Sequence, residues 1–121
     1  GVDVDGKATY SPVQLITTYT SGTSGYNIWS NGYCEQWGRH SYEAGNNKRQ
    51  VTISLAKKFK DANYNVQGIE FGTEGTTGDA NWINVASVYS VAAASFKIKV
   101  GQGQASTFMW RASGYLASGQ Y

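Results

Sequence analysis

Apolar residues recur at every second position in five or six separate stretches of this chain, a pattern that suits half-buried strands and leaves little room for amphipathic helices. The sharpest local signal is Tyr26–Ser30 and Tyr33–Gly38 flanking Asn31-Gly32. That dipeptide tolerates positive φ at both central positions of a type I′ turn, so it predicts a two-residue hairpin. In the corresponding register Trp29 lies opposite Cys34, Ile28 faces Glu35 and Tyr26 faces Trp37, which puts aromatics on both faces. Gln50–Leu55 alternates Val51, Ile53 and Leu55 with polar side chains, predicting one core face and one wet face. Tyr64–Phe71 changes parity between Val66 and Ile69, which predicts a bulge near Gly68. Val85–Ala93 is apolar on both parities and reads as a central strand. Phe96-Ile98-Val100 and Phe108-Trp110-Ala112 read as its flanking strands. Leu55–Asn65 is the one weak helix candidate.

Fold class follows as all-β and antiparallel, and 121 residues suit one domain. At that size about two-thirds of the unfolded chain's surface can be buried, enough to fold without disulfide staples. Only 15% of residues are charged and the formal net charge is +2, too weak a balance to imply nucleic-acid binding. A single cysteine, Cys34, makes no intrachain disulfide, and with one histidine, His40, no metal cluster or other cofactor is expected. Three copies of His40 on a symmetry axis would be one way to hold a metal. No apolar stretch approaches the roughly 20 residues of a membrane helix, so membrane insertion is not expected. The opening Gly1–Lys7 has neither the basic region nor the apolar core of a signal peptide and reads as the cut end of a longer protein. Residues 1–25 are too poor in apolar surface for a domain and read as a linker or shaft end, leaving 26–121 as the folded head.

Chemistry-bearing residues are scattered. Eight acids are present, yet no motif selects a pair for glycan hydrolysis, and solvated or locally bonded carboxylates are the default. Glu35 is expected to pair with Arg39 or with a cation from another chain. Cys34 and His40 are both nucleophile-type residues, but a mid-strand cysteine opposite an aromatic ring is ordinarily a small packed side chain. Lys57-Lys58-Phe59-Lys60 concentrates charge that would suit phosphate groups, although such a run is usually a solvated turn. Two loop clusters have the chemistry of sugar recognition, an aromatic face for C–H groups beside planar polar groups for hydroxyls. One is Trp82 with Asp79, Asn81 and Asn84 in the thirteen-residue stretch Gly72–Asn84, and the other is Tyr42 with Asn46 and Asn47. A loop tryptophan can equally plug the end of a sandwich or pack on a neighbouring chain.

The string Ser21-Gly22-Thr23-Ser24-Gly25-Tyr26-Asn27-Ile28-Trp29-Ser30-Asn31-Gly32-Tyr33-Cys34-Glu35-Gln36-Trp37-Gly38 resembles the C-terminal domain of tail fibre proteins from tailed bacteriophages. In that family a Gly-Thr-Ser-like lead-in precedes an aromatic strand, a Ser-Asp/Asn-Gly turn and an aromatic-x-Glu-Gln-x-Gly strand. Val51-Thr52-Ile53, then Lys57-Lys58-Phe59 and Ala62–Val66, are similar to a following family segment. Phe96-Lys97-Ile98 and Phe108–Tyr115 are similar to its last strands. Gly72–Asn84 matches no family pattern, and Lys57–Lys60 is more basic than the family leads one to expect. The resemblance implies an antiparallel β-sandwich at the distal end of a homotrimeric fibre of the virion. It implies a non-catalytic tip that contacts a host bacterial surface receptor, a glycan such as lipopolysaccharide or an outer-membrane protein. Tyr42, Asn46, Asn47, Asp79, Asn81, Trp82 and Asn84 are then the candidate receptor-binding residues, and the rest of the tail fibre is the other partner. The competing expectation is a carbohydrate-binding or depolymerising module of a cell-wall or capsule-degrading enzyme.

Overall fold

The computed structural model describes residues 12–42, 50–72, 86–100 and 106–121. Eight strands, and no helix among the described residues, build two antiparallel sheets. They are β1 (Leu15–Ser21), β2 (Ser24–Trp29), β3 (Tyr33–Tyr42), β4 (Gln50–Ser54), β5 (Asn65–Gly72), β6 (Ala86–Ala92), β7 (Ser95–Val100) and β8 (Ser106–Tyr115). The larger sheet runs β1-β2-β3-β8-β5 and the smaller β4-β7-β6.

Alternation decides which side chains meet between the sheets. Ile28, Cys34, Gln36, Phe108 and Ala112 point inward from the larger sheet and are buried, while Ile53, Phe96 and Ile98 do so from the smaller. Phe96 meets Trp110 edge-on with ring centroids 5.3 Å apart, and Phe108 clusters with Ile53, Phe96 and Ile98, so the layers share one core. The alternations of Val51-Ile53-Leu55 and Phe96-Ile98 thus have the expected orientation, with Lys97 and Lys99 exposed on the opposite face.

Four expectations are corrected. The β2–β3 connection is not a two-residue type I′ turn. Gly32 N–H donates to Trp29 O at 2.9 Å, only Gly32 of the turn has positive φ (86°), and Tyr33 N–H donates to Asn31 Oδ1 at 3.0 Å. A β-turn followed by a left-handed glycine lengthens the loop, so the register moves by one residue. Ile28 therefore pairs with Cys34, Asn27 with Glu35, Tyr26 with Gln36 and Gly25 with Trp37. Second, β5 pairs with β8 without a bulge at Gly68. The apolar parity changes because Gly68 faces inward beneath the Phe108 ring while Ile69 faces out, 63% exposed. Third, β6 is an edge strand rather than a central one, and β7 is central. The irregularity lies here: Ser90 has φ 47° and the β6–β7 register shifts between Tyr89 and Ala92, which lets both Val88 and Val91 pack on the core. Fourth, the Leu55–Asn65 helix candidate forms no helix; its stretch before β5 is an irregular plug.

That plug closes one end of the sandwich. Phe59, 1% exposed, stacks on Tyr64 at 4.2 Å, and the Tyr64 hydroxyl shares its proton between Ala92 O (2.7 Å) and Ser95 O (3.1 Å). Backbone bonds from Leu55 N–H to Ala94 O, Phe59 N–H to Ala93 O, Lys60 N–H to Tyr115 O and Ala117 N–H to Lys58 O fasten it to both sheets. Burying the phenylalanine contributes roughly 2–3 kcal/mol, against a net of about 1 kcal/mol for each backbone bond. Packing and hydrogen bonding therefore hold the plug about equally.

Candidate functional site

Strand direction sorts the molecule into two ends. At the plugged end lie the β2–β3 turn and both the first and the last described residues of the chain. Gln14 exchanges bonds with Ser30 (Ser30 N–H to Gln14 O 2.7 Å, Gln14 N–H to Ser30 Oγ 3.0 Å), Leu15 pairs with Trp29, and the Tyr121 ring lies against Gly32. At the opposite end of the larger sheet, Tyr42 and Gly72 both align with Ser106. On the smaller sheet Gln50 aligns with Lys99, and Ala86 with Val100, at the end away from the plug. Segments 43–49, 73–85 and 101–105 all depart from these strand ends.

One of the candidate recognition residues is placed at that end. Tyr42 is the last residue of β3; Asn46, Asn47, Asp79, Asn81, Trp82 and Asn84 lie outside the described residues. Because β3 and β5 flank β8, Tyr42 and Gly72, the last residues before segments 43–49 and 73–85, align with the same β8 residue, a proximity that alternation alone does not give.

The Glu35-Gln36-x-Gly38 string is explained by structure rather than by binding at the loops. Gln36 is 1% exposed, and its side chain mimics a strand: Nε2 donates to Lys57 O at 2.7 Å and Oε1 accepts from Lys57 N–H at 3.0 Å. It pins the plug to β3. A Cβ at Gly38 would stand 2.7 Å from the Trp110 ring, so only glycine lets that indole cross the sheet. Glu35 pairs with Arg111 at 3.0 Å, not with Arg39. Arg39 is four residues along the same strand, roughly 13 Å away, whereas Arg111 sits diagonally across on β8.

The other chemistry-bearing groups are accommodated in the fold. Burial pushes the Cys34 thiol up to about 12, Lys57 opposing and Glu35 adding, so it stays protonated and unreactive at neutral pH. His40 is half-buried opposite Phe108, and no cluster of metal-ligating side chains occurs among the described residues. Asp61 closes a local turn by accepting from Asn63 N–H at 2.8 Å. Lys58 and Lys60 of the basic run are exposed, as expected of a solvated turn, and Lys57 Nζ lies 5.3 Å from the Tyr26 ring centroid and Lys60 Nζ 5.8 Å from that of Tyr115.

The profile of the family described as tail fiber protein gp53-like, C-terminal, matches residues 27–115. The chain belongs to this family. No curated protein matches the sequence. The tail fibre domain is similar in fold to C-terminal pieces of Pseudomonas aeruginosa pyocin fibres. Against the R1 pyocin fibre it has 14% identity and a TM-score of 0.63 over 84% of its own length and 29% of that chain. Against the R2 pyocin fibre the values are 17% and 0.57 over 86% and 26%. An N-truncated R2-type pyocin tail fibre gives 16% and 0.58 over 88% and 39%. The tail fibre domain thus spans between a quarter and two-fifths of those fibre chains.

Proposed function

We propose that this tail fibre domain is the distal tip of a homotrimeric fibre. In this reading it adheres without catalysis to a host bacterial surface glycan or outer-membrane protein. The observation that carries this is polarity: residues 12–15 and 116–121 sit at the plugged end, while segments 43–49, 73–85 and 101–105 spring from the other. A chain arriving from a shaft at the plugged end would present those segments outward. Rigid strands carrying variable connections are the usual architecture of recognition surfaces. Tyr42, Asn46, Asn47, Asp79, Asn81, Trp82 and Asn84 are the contact residues of this reading, with residues 1–25 as shaft end and 26–121 as head. β1 extends the head's sheet from within the shaft-side portion, yet all seven of its residues are exposed, so it adds hydrogen bonds and little core.

The test is competition for phage adsorption by the isolated chain, with Trp82→Ala and Tyr42→Ala beside the parent. Blocking by the parent, loss of blocking in the variants and unchanged length of host polysaccharide are expected. A parent that leaves adsorption untouched, or shortens the polysaccharide, overturns the reading.

A further inference from the structure

The solvent face of the larger sheet carries a built arrangement that the loop reading does not use. The Arg111 guanidinium lies 5.4 Å from the centroid of the Trp37 ring, and its Nη1 donates to Glu35 Oε2 at 3.0 Å. Stacking and ion pair together fix the plane of a side chain that is still 56% exposed. A guanidinium has five donors in a rigid fork, so an arginine held along one edge retains donors directed at solvent, already oriented.

The register surrounds it with a small array. Gln67, Arg111 and Trp37 form one row across β5, β8 and β3, and Ile69, Met109 and Arg39 form the next outward-facing row. These six residues line a depression of about 680 Å³, bounded on one side by Gly22 and Thr23 of the β1–β2 turn. Small-ligand clefts run from roughly 300 to 1,000 Å³. With strands about 4.8 Å apart and outward rows about 7 Å apart, the array is the size of one or two sugar rings. Among the described residues its lining holds two arginines, and the carboxylate beside them, Glu35, occupies one edge of the Arg111 guanidinium.

We propose that this sheet face binds an acidic saccharide, one bearing a carboxylate or phosphate. Arg111 takes the anionic group through paired N–H donors, as guanidinium forks do. Arg39 adds positive potential at the neighbouring row, Gln67 serves a hydroxyl, and Ile69 with Met109 meets the apolar side of the ring. The exposed edge of the guanidinium favours an anionic ligand, and a contact with another copy of the chain, which about a three-fold axis would set different patches together, is the outcome that the mass measurement below tests. The site rests on the adhesion reading for its purpose and lies apart from the loop residues of that reading.

The experiment follows tryptophan emission of the whole chain during titration with tetragalacturonate, its neutral methyl ester, and a phosphomannan oligosaccharide. Saturable binding of one or both acidic probes is expected, with the methyl ester about tenfold weaker, and the two acidic arms separate carboxylate from phosphate. Arg111→Gln should lose about tenfold in affinity, and Arg111→Lys, which keeps the charge without the fork, should lose nearly as much. Both should keep the parent's thermal unfolding profile and sedimentation mass. Equal response to acidic and neutral probes, undiminished binding by Arg111→Gln, or a changed mass in that variant overturns the proposal, the last by showing a protein contact there. A parent that blocks phage adsorption yet ignores both acidic probes defeats this site and leaves the adhesion reading standing.

Discussion

Gln36 shows how much a single buried polar side chain can decide. It satisfies both backbone groups of Lys57, so Gln36→Ala would strand a donor and an acceptor in a part-buried place. Each such group costs about 1–3 kcal/mol, so the urea midpoint should fall by the equivalent of about 2 kcal/mol or more. Gly68 is constrained from the other side: a Cβ there would overlap the Phe108 ring. Gly68→Ala should cost about 1–3 kcal/mol through overpacking, read as a lower melting temperature. Cys34 predicts a pH dependence. Its thiol is pushed by burial from 9.0 to about 12, and burial raises the Tyr64 phenol as well. The folded chain keeps protons that the unfolded chain releases above pH 9, so stability is intact below pH 9 and declines as pH climbs towards 12. Urea midpoints between pH 8 and 11 should fall more steeply for the parent than for Cys34→Ala.

At the scale of elements, the plug before β5 is the piece whose loss should be felt most. Phe59→Ala removes a buried ring stacked on Tyr64 and should cost about 3–5 kcal/mol. Urea denaturation of that variant checks the figure, and a change below 1 kcal/mol would mean that the hydrogen bonds alone hold the plug. The plug also shows what alternation could and could not announce. Leu55, Phe59 and Ala62 stand at helical spacing, yet Phe59 and Tyr64 are set by a gap between two sheets rather than by a periodic face. Asn31-Gly32 marked the hairpin correctly, but the same dipeptide serves a two-residue turn and a longer one with a left-handed glycine, and only the cross-strand partners distinguish them. The parity change at Gly68 and the doubled parity around Ser90 look alike in sequence. In one case an exposed Ile69 is simply on the outer face, and in the other the backbone itself bends.

For the whole molecule, the arrangement of ends makes a quantitative expectation. A homotrimer should sediment at three times the chain mass, and Trp82→Ala or Tyr42→Ala should abolish adsorption competition without changing that mass. A monodisperse monomer at micromolar concentration would remove the trimeric part of the reading. The all-β class, the alternating core of β4 and β7 and the likeness to tail fibre C-terminal domains were legible in the sequence, because period-2 patterning and short turn strings are local properties. The candidate loop residues were legible as chemistry only. That β3 and β5 flank β8 and end together at Ser106, that Glu35 answers to Arg111, and that Gln67, Ile69 and Met109 join Trp37 and two arginines on one face depended on strand order and register. Those are set by which distant segments bury one another, a long-range competition that no stretch of a few residues records.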